Sequence, residues 1–166
     1  MAKYEHIVHT FEPVYDENSR VLILGSLPSV KSREQGFYYG HPRNRFWAVT
    51  AAVSGQEVPV TVEEKKAMLL RAGIAVWDVV AECDIKGSSD ASIKNVRAAQ
   101  LSQVLDNCAI RAIFANGSTA ARLYGKFQHK LTGREIITLP STSPANAAYS
   151  LERLVTEWRN ALGGLL

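Results

Sequence analysis

Four short apolar runs rich in β-branched residues recur along this chain, each followed by a stretch with helical patterning. The runs are Val21-Leu22-Ile23-Leu24, Ile74-Ala75-Val76-Trp77-Asp78-Val79-Val80, residues 110–115 and Ile136-Ile137-Thr138-Leu139. Their lengths suit strands and are too short for a helix that buries a face. Helix signals lie between them. Thr61 followed by Glu63 and Glu64 reads as a cap with an acidic first turn, stopped by Gly73, and Leu151, Leu154, Val155 and Trp158 form a terminal stripe at helical spacing. This alternation predicts an α/β fold, a three-layer α/β/α sandwich with a mainly parallel central sheet of about four strands. With 166 residues, 46% of them apolar, one domain over residues 1–166 is expected. In finer detail, residues 4–19 read as an arm over the first strand, 84–97 as a polar loop, and 98–107, 118–124 and 150–162 as helices. Trp77 reads as a core aromatic.

In a parallel sheet the loops that follow the strands emerge at one edge, where open α/β folds bind ligands. The loops after Leu24, Val80, Ala115 and Leu139 should therefore converge. The first, residues 25–47, reads GSLPSVKSREQGFYYGHPRNRFW and is long for a connector. It carries the rings of Phe37, Tyr38 and Tyr39, the amide of Asn44, and the cations Lys31, Arg33, Arg43 and Arg45 against a single acid, Glu34. Rings interleaved with cations suit a partner that offers planar bases and phosphates. A helix is expected from near Pro42 to Gly55. The other loops bring Asp90 among serines, Asn116-Gly117, and the hydroxyl run Ser141-Thr142-Ser143.

The formal net charge is only +3, so total charge does not by itself declare a nucleic-acid binder. Residues 107–134, however, contain Arg111, Arg122, Lys126, Lys130 and Arg134 with no Asp or Glu, whereas acids gather in the middle third. The split reads either as one positive side of the fold or as ordinary solvated helix faces. Cys83 and Cys108 lack metal-site spacing, so neither a disulfide framework nor a metal or other cofactor is expected. No signal peptide is read, and no apolar run nears the ~20 residues of a membrane span; the expectation is a cytoplasmic monomer with no membrane partner.

Within the first loop, Gln35-Gly36, Tyr38-Tyr39-Gly40-His41-Pro42 and Asn44-x-Phe46-Trp47 resemble the first motif of the uracil-DNA glycosylase superfamily, in the form of its hypoxanthine-DNA glycosylase branch. Ser88-Ser89-Asp90-Ala91-Ser92-Ile93-Lys94-Asn95, Phe114-Ala115-Asn116-Gly117 and Leu139-Pro140-Ser141-Thr142-Ser143-Pro144-Ala145-Asn146 extend the resemblance over nearly the whole chain. It implies a monofunctional base-excision glycosylase that hydrolyses the N-glycosidic bond of a flipped, deaminated base in double- or single-stranded DNA. The implied base is hypoxanthine, and the product an abasic site. The resemblance points to Asn44 as the catalytic residue. It assigns Gly25, Ser26, Phe37, Tyr38, Tyr39 and Asn116 to the base pocket, with a ring as stacking wall and Asn116 as edge reader. It assigns Ser141, Thr142, Ser143, Pro144, Ala145 and Asn146 to the DNA backbone and to the wedge that fills the vacated stack.

Cleavage of this bond develops positive charge on the sugar and negative charge on the base, so preorganised hydrogen bonds and a positioned water can carry it. Related enzymes often hold an Asn or Asp just after the first strand, where this chain has Ser26; the departure favours hypoxanthine over uracil. Asp90 and Glu34 stay open as groups that activate the water. Read alone, each ring serves equally as loop packing, the Ser-Thr-Ser run as a turn, Asn44 as a helix cap, and His41 as a loop hydrogen bond. The alternatives are a uracil- or mismatch-specific glycosylase and a catalytically silent nucleic-acid-binding module of the same fold. A nucleotide hydrolase or flavodoxin-like binder is disfavoured, because no Gly-rich phosphate fingerprint follows the first strand.

Overall fold

The computed structural model describes residues 3–87 and 89–166. Its strands are β1 (Tyr4–Val8), β2 (Val21–Gly25), β3 (Ile74–Asp78), β4 (Val80–Lys86), β5 (Lys94–Ala98), β6 (Ala112–Asn116) and β7 (Ile136–Leu139). The helices are α1 (Val30–Gln35), α2 (Phe46–Ser54), α3 (Val62–Ala72), α4 (Ser102–Leu105), α5 (Ser118–Phe127), α6 (His129–Thr132) and α7 (Leu151–Leu162), with a 3-10 turn at Asp90–Ser92. Four strands form a parallel sheet in the order β3-β2-β6-β7. Three more, β1-β4-β5, form an antiparallel sheet.

The period-2 alternation of β2 divides the core into two clusters. Val21 and Ile23 join Ile74, Val76 and Phe114 on one face of the parallel sheet. That face is covered by α2, α3 and α7 through Phe46, Trp47, Met68, Leu69, Leu154 and Trp158. Leu22 and Leu24 join Ala75 and Ile113 on the other face, under Val104 of α4, Leu123 and Tyr124 of α5, and Cys83 of β4. The expected parallel sheet with helices about it is present. The expected caps also form: Thr61 Oγ1 accepts from Glu64 N–H, and Gly55 and Gly73 end their helices with left-handed backbone.

The antiparallel sheet was not anticipated. Of the arm at 4–19, residues 4–8 are β1 of that sheet and Val14 exchanges hydrogen bonds with Val76 of β3 at the outer edge of the main sheet, so the arm does not lie over the first strand. The run 74–80 breaks after Asp78: the N–H groups of Val79 and Val80 turn aside to donate to Gly25 O and Ser26 O, and a new strand begins. Gln128, buried at the start of α6, holds that corner by donating to Val79 O and Ala99 O at 3.0 and 2.7 Å. Strands β4 and β5 occupy much of the predicted polar loop, because a sheet with one face on the core carries charge on the other. Cys83 and Ile85 point inward, while Glu82 and Asp84 meet His6 and Arg97 outside. Hydrogen bonds that His6 donates to Asp84 and then to Glu82 raise its pKa; those that Asp84 accepts from Asn95 and then from His6 lower that of Asp84. Ser88, within the same predicted loop, lies outside the described residues.

Three helix expectations also shift. The helix assigned to Pro42 starts at Phe46, that at 98–107 shrinks to α4, and α1 forms inside the first loop, capped by Ser29. Trp77 is half-buried and touches both core clusters at their margin. No helix among the described residues is long and apolar enough to cross a membrane.

Candidate active site

The carboxyl ends of β2, β3 and β6 and the loop after β7 surround a cleft of about 400 Å³, in the size range of small-ligand sites. Gly25, Ser26, Tyr38, Tyr39, Asn44, Asn116, Ser141, Thr142, Ser143 and Ala145 line it, as do Arg33, Asp78 and Asp90. Convergence of the strand-end loops therefore holds. Phe37, Pro144 and Asn146 do not line the cleft.

The centre of the cleft is a chain of amide and hydroxyl groups. Thr142, fully buried, donates its hydroxyl to Asn44 Oδ1 at 2.8 Å and accepts from Asn116 Nδ2 at 3.0 Å. Its N–H donates to Asn116 Oδ1 at 3.0 Å, and its carbonyl accepts from Arg45 N–H. Asn44 Oδ1 also accepts from Phe46 N–H at 2.9 Å, so the side chain does cap the first turn of α2. Two donors converging on one atom identify it as the oxygen. Asn44 lines the cleft, and its Nδ2 has no partner among the described residues. Asn116, expected as an edge reader, commits one face of its amide to Thr142 and pins the loop after β7 to the end of β6. Gly117 permits this approach, with φ +98 and Ser141 Cβ only 3.0 Å from where its own Cβ would stand.

The three rings separate. Tyr39 stacks on Phe46 at 4.0 Å between centroids, and its carbonyl accepts from Trp47 Nε1. Its φ of +51 is a left-handed conformation uncommon outside glycine, which the stack and the Trp47 bond hold in place. Burial, followed by the nearby Asp78 charge, pushes the Tyr39 phenol pKa well above the usual tyrosine value. Tyr38 is buried among His9, Phe11 and Phe37 and donates to Glu12 O at 2.8 Å; burial is also the main cause of its raised pKa. Phe37, expected in the base pocket, instead stacks on Trp47 within the core. Its ring has no polar tip and gains more from burial than from a wet cleft.

The loop cations separate too. Arg45, read as a phosphate ligand, is turned inward and donates to the carbonyls of Tyr149, Ser143 and Asn146. Arg43 is exposed, and Arg33 lines the cleft. Glu34 pairs with Lys31 at 3.5 Å away from the cleft, which removes it as a water activator, while Asp90 reaches the rim and accepts from Thr119. His41 accepts from Arg43 N–H, the loop hydrogen bond anticipated for it. Asn146 donates to Ser141 O, leaving Ala145 as the exposed tip of its loop.

Asp78 and His9 were missed. Asp78 ends β3 beside Gly25, and its Oδ2 accepts from His9 Nε2 at 2.7 Å with both side chains 5% exposed. The available signal was an acid inside the apolar run 74–80. Ending the strand there, and not at Val80, would have put its carboxylate at the ligand edge.

Comparison with known proteins agrees with this architecture. The profile of the Uracil DNA glycosylase superfamily matches residues 12–163. A protein named hypoxanthine DNA glycosylase from Methanosarcina acetivorans is 36% identical over 152 residues, covering 89% of this chain and 93% of the relative. One of the same name from Methanosarcina barkeri is 33% identical over 155 residues, covering 91% and 95%. The solution NMR structure of a Methanosarcina acetivorans protein assigned to the uracil DNA glycosylases superposes with TM-score 0.79 at 34% identity, covering 93% of this chain and 96% of that one. A profile match over residues 12–163, relatives aligned along nearly their full length, and a shared fold together show that this chain belongs to the uracil DNA glycosylase superfamily.

Proposed function

We propose that this protein excises hypoxanthine from DNA, hydrolysing the N-glycosidic bond of a flipped deoxyinosine and leaving an abasic site. The observation that carries the reading is the state of Asn44. Its oxygen is fixed from two sides, by Phe46 N–H and the Thr142 hydroxyl, so its amide hydrogens are aimed rather than free to rotate. A donor preorganised in a cleft stabilises the charge that develops on a departing base, or orients the attacking water, at no cost in reorganisation during the step. Tyr39 on Phe46 supplies a wall for the extruded ring. Ser141, Ser143 and Ala145 form the lip that meets the backbone and the vacated stack. The names of the two Methanosarcina relatives support hypoxanthine as the base. A DNA substrate places the reaction inside the cell.

The test is a duplex with one deoxyinosine, incubated with the protein and heated in alkali. Strand cleavage at that nucleotide is expected, and Asn44→Ala should lower single-turnover release by the ~2.7–4 kcal/mol of a lost preorganised donor. A capping role alone would cost about 1 kcal/mol of stability and spare the chemistry. Parent-rate excision by Asn44→Ala would refute the assignment and turn attention to Asp90.

A further inference from the structure

We propose that Lys86 and Lys94, held over the ring of Tyr4 on the outer face of the antiparallel sheet, grip the phosphate backbone of the duplex on one side of the lesion. The inference rests on the glycosylase reading above and extends its DNA contact beyond the cleft, to one flank only. Tyr4 lies opposite Lys86 in the β1–β4 pairing. The Lys86 ammonium is 4.8 Å from the centre of its ring, and that of Lys94 is 3.7 Å from it. A cation over a ring face is attracted by the ring's quadrupole and keeps its charge, so Tyr4 aims the two ammoniums without neutralising them.

The charges on this face are sorted. Asp84 stands directly opposite Lys94 in the β4–β5 pairing, where opposite charges stabilise a sheet by pairing. Both its oxygens are taken by other groups, Oδ1 by His6 Nδ1 and Oδ2 by Asn95 Nδ2, each at 2.8 Å. Asn95 reaches it from a left-handed backbone, φ +53, which Asn tolerates better than most residues. Glu82 is claimed by Arg97 at 2.7 Å and by His6 at 3.3 Å. Among the described residues neither Lys86 nor Lys94 has an ion pair with an acid. An ordinary solvated face would let these lysines and acids pair with one another; here the acids are spent on His6, Arg97 and Asn95, and two cations are left over.

The position of the pair supplies the partner. Gly87, next to Lys86, and Asp90 line the cleft, and Asp90 accepts from Thr119 Oγ1 at 3.1 Å, which ties the β4–β5 hairpin to α5 at the rim. Ile85 lines the same cleft from the inner face of β4. The hairpin is thus one wall of the site, with the cleft on its inner side and the lysine pair on its outer side. DNA that delivers a nucleotide to the cleft leaves it in two opposite directions, and only the arm that crosses this wall meets the pair. The groups presented are ammoniums, so the contact is to phosphates, which positions the duplex without reading its sequence.

The experiment measures affinity for an abasic-site duplex as a function of salt, for the native protein and for the double variant Lys86→Gln, Lys94→Gln. With long arms on both sides of the abasic nucleotide, the variant should lose ~1.8 from the log–log slope, ~0.9 for each of two phosphates. Shortening one arm should abolish the difference between native and variant, and shortening the other should preserve it. Single-turnover release of hypoxanthine at saturating protein should stay at the native rate. An unchanged slope overturns the proposal, as does a difference that responds equally to shortening either arm. A lost slope accompanied by slower release at saturation places the pair at the chemistry and not on a flank, and overturns it too. Base release plays no part in the abasic-site measurement, so the two readings fail separately. A native protein that shows the expected slopes but releases no hypoxanthine would remove the glycosylase reading and leave this contact standing.

Discussion

Replacing Thr142 with valine keeps the outline of a fully buried side chain and deletes one hydroxyl. Two hydrogen bonds go with it, the 2.8 Å bond to Asn44 Oδ1 and the 3.0 Å bond from Asn116 Nδ2. The main-chain bonds of Thr142, to Asn116 Oδ1 and from Arg45 N–H, remain. Each neutral bond contributes ~1 kcal/mol net, rising toward ~1–3 kcal/mol where the abandoned partner is sealed from water. Asn44 Oδ1 keeps Phe46 N–H and Asn116 is partly exposed, so neither is stranded, and a total loss of ~2 kcal/mol is expected. The catalytic effect should be larger than the loss of stability suggests. With one of two restraints gone the Asn44 amide can swing, and misplacement of such a group by an ångström costs up to ~100-fold. We expect Thr142→Val to slow single-turnover hypoxanthine release at least tenfold under conditions where urea titration shows it folded, and Thr142→Ser to restore the rate. A folded Thr142→Val enzyme working at the parental rate would refute the view that this hydroxyl aims Asn44.

Arg45→Met keeps the aliphatic stem but removes every bond to the Tyr149, Ser143 and Asn146 carbonyls; the chain should lose ~3 kcal/mol or more, with faster amide exchange confined first to residues 141–149. The phenols of Tyr38 and Tyr39 are held neutral in the fold and would ionise near 10 once unfolded, so the folded state binds more protons above that pH. Stability should be unaffected by these groups below pH ~10 and fall by about 1.4 kcal/mol per pH unit for each tyrosine above it, with absorbance showing no ionisation of either before unfolding. Binding to abasic duplex should weaken with salt at about −0.9 in log–log slope for each phosphate met, and Arg43→Gln should reduce the slope whereas Arg45→Met should not, apart from loss of fold. A slope near zero for the parent would exclude the phosphate contacts.

The parallel sheet and its ligand edge were legible because strands covered on both faces leave unbroken apolar runs, and their loops are then gathered by topology alone. Caps at Thr61, Gly55 and Gly73 were legible for local reasons. The antiparallel sheet was not, because in Val80–Lys86 the charges of Glu82 and Asp84 alternate with buried Cys83 and Ile85, a pattern that one-sided strands share with polar loops. That Asn44, Asn116 and Thr142 come to the cleft was visible, but not the direction in which each points. Arg45 looked like a free cation and proved to be a clamp on main-chain carbonyls, and Phe37 looked like a stacking wall and proved to be core. Asp78 was hidden by reading past the end of its strand.

The bond between Asn44 and Thr142 joins residues 98 apart in sequence, and Arg45 reaches Asn146 across 101. No local segment can assemble this pair. The loop before α2 must wait until β6 and β7 have added to β2, and parallel pairings of this kind close large loops before any contact rewards them. Competence for excision is therefore a late event on the folding route. A nascent or partly refolded chain can possess helix, sheet and even a basic surface while its amide donor still turns freely. Recovered activity after dilution from denaturant should trail recovered helicity, and the protein should never cut a base before it is whole.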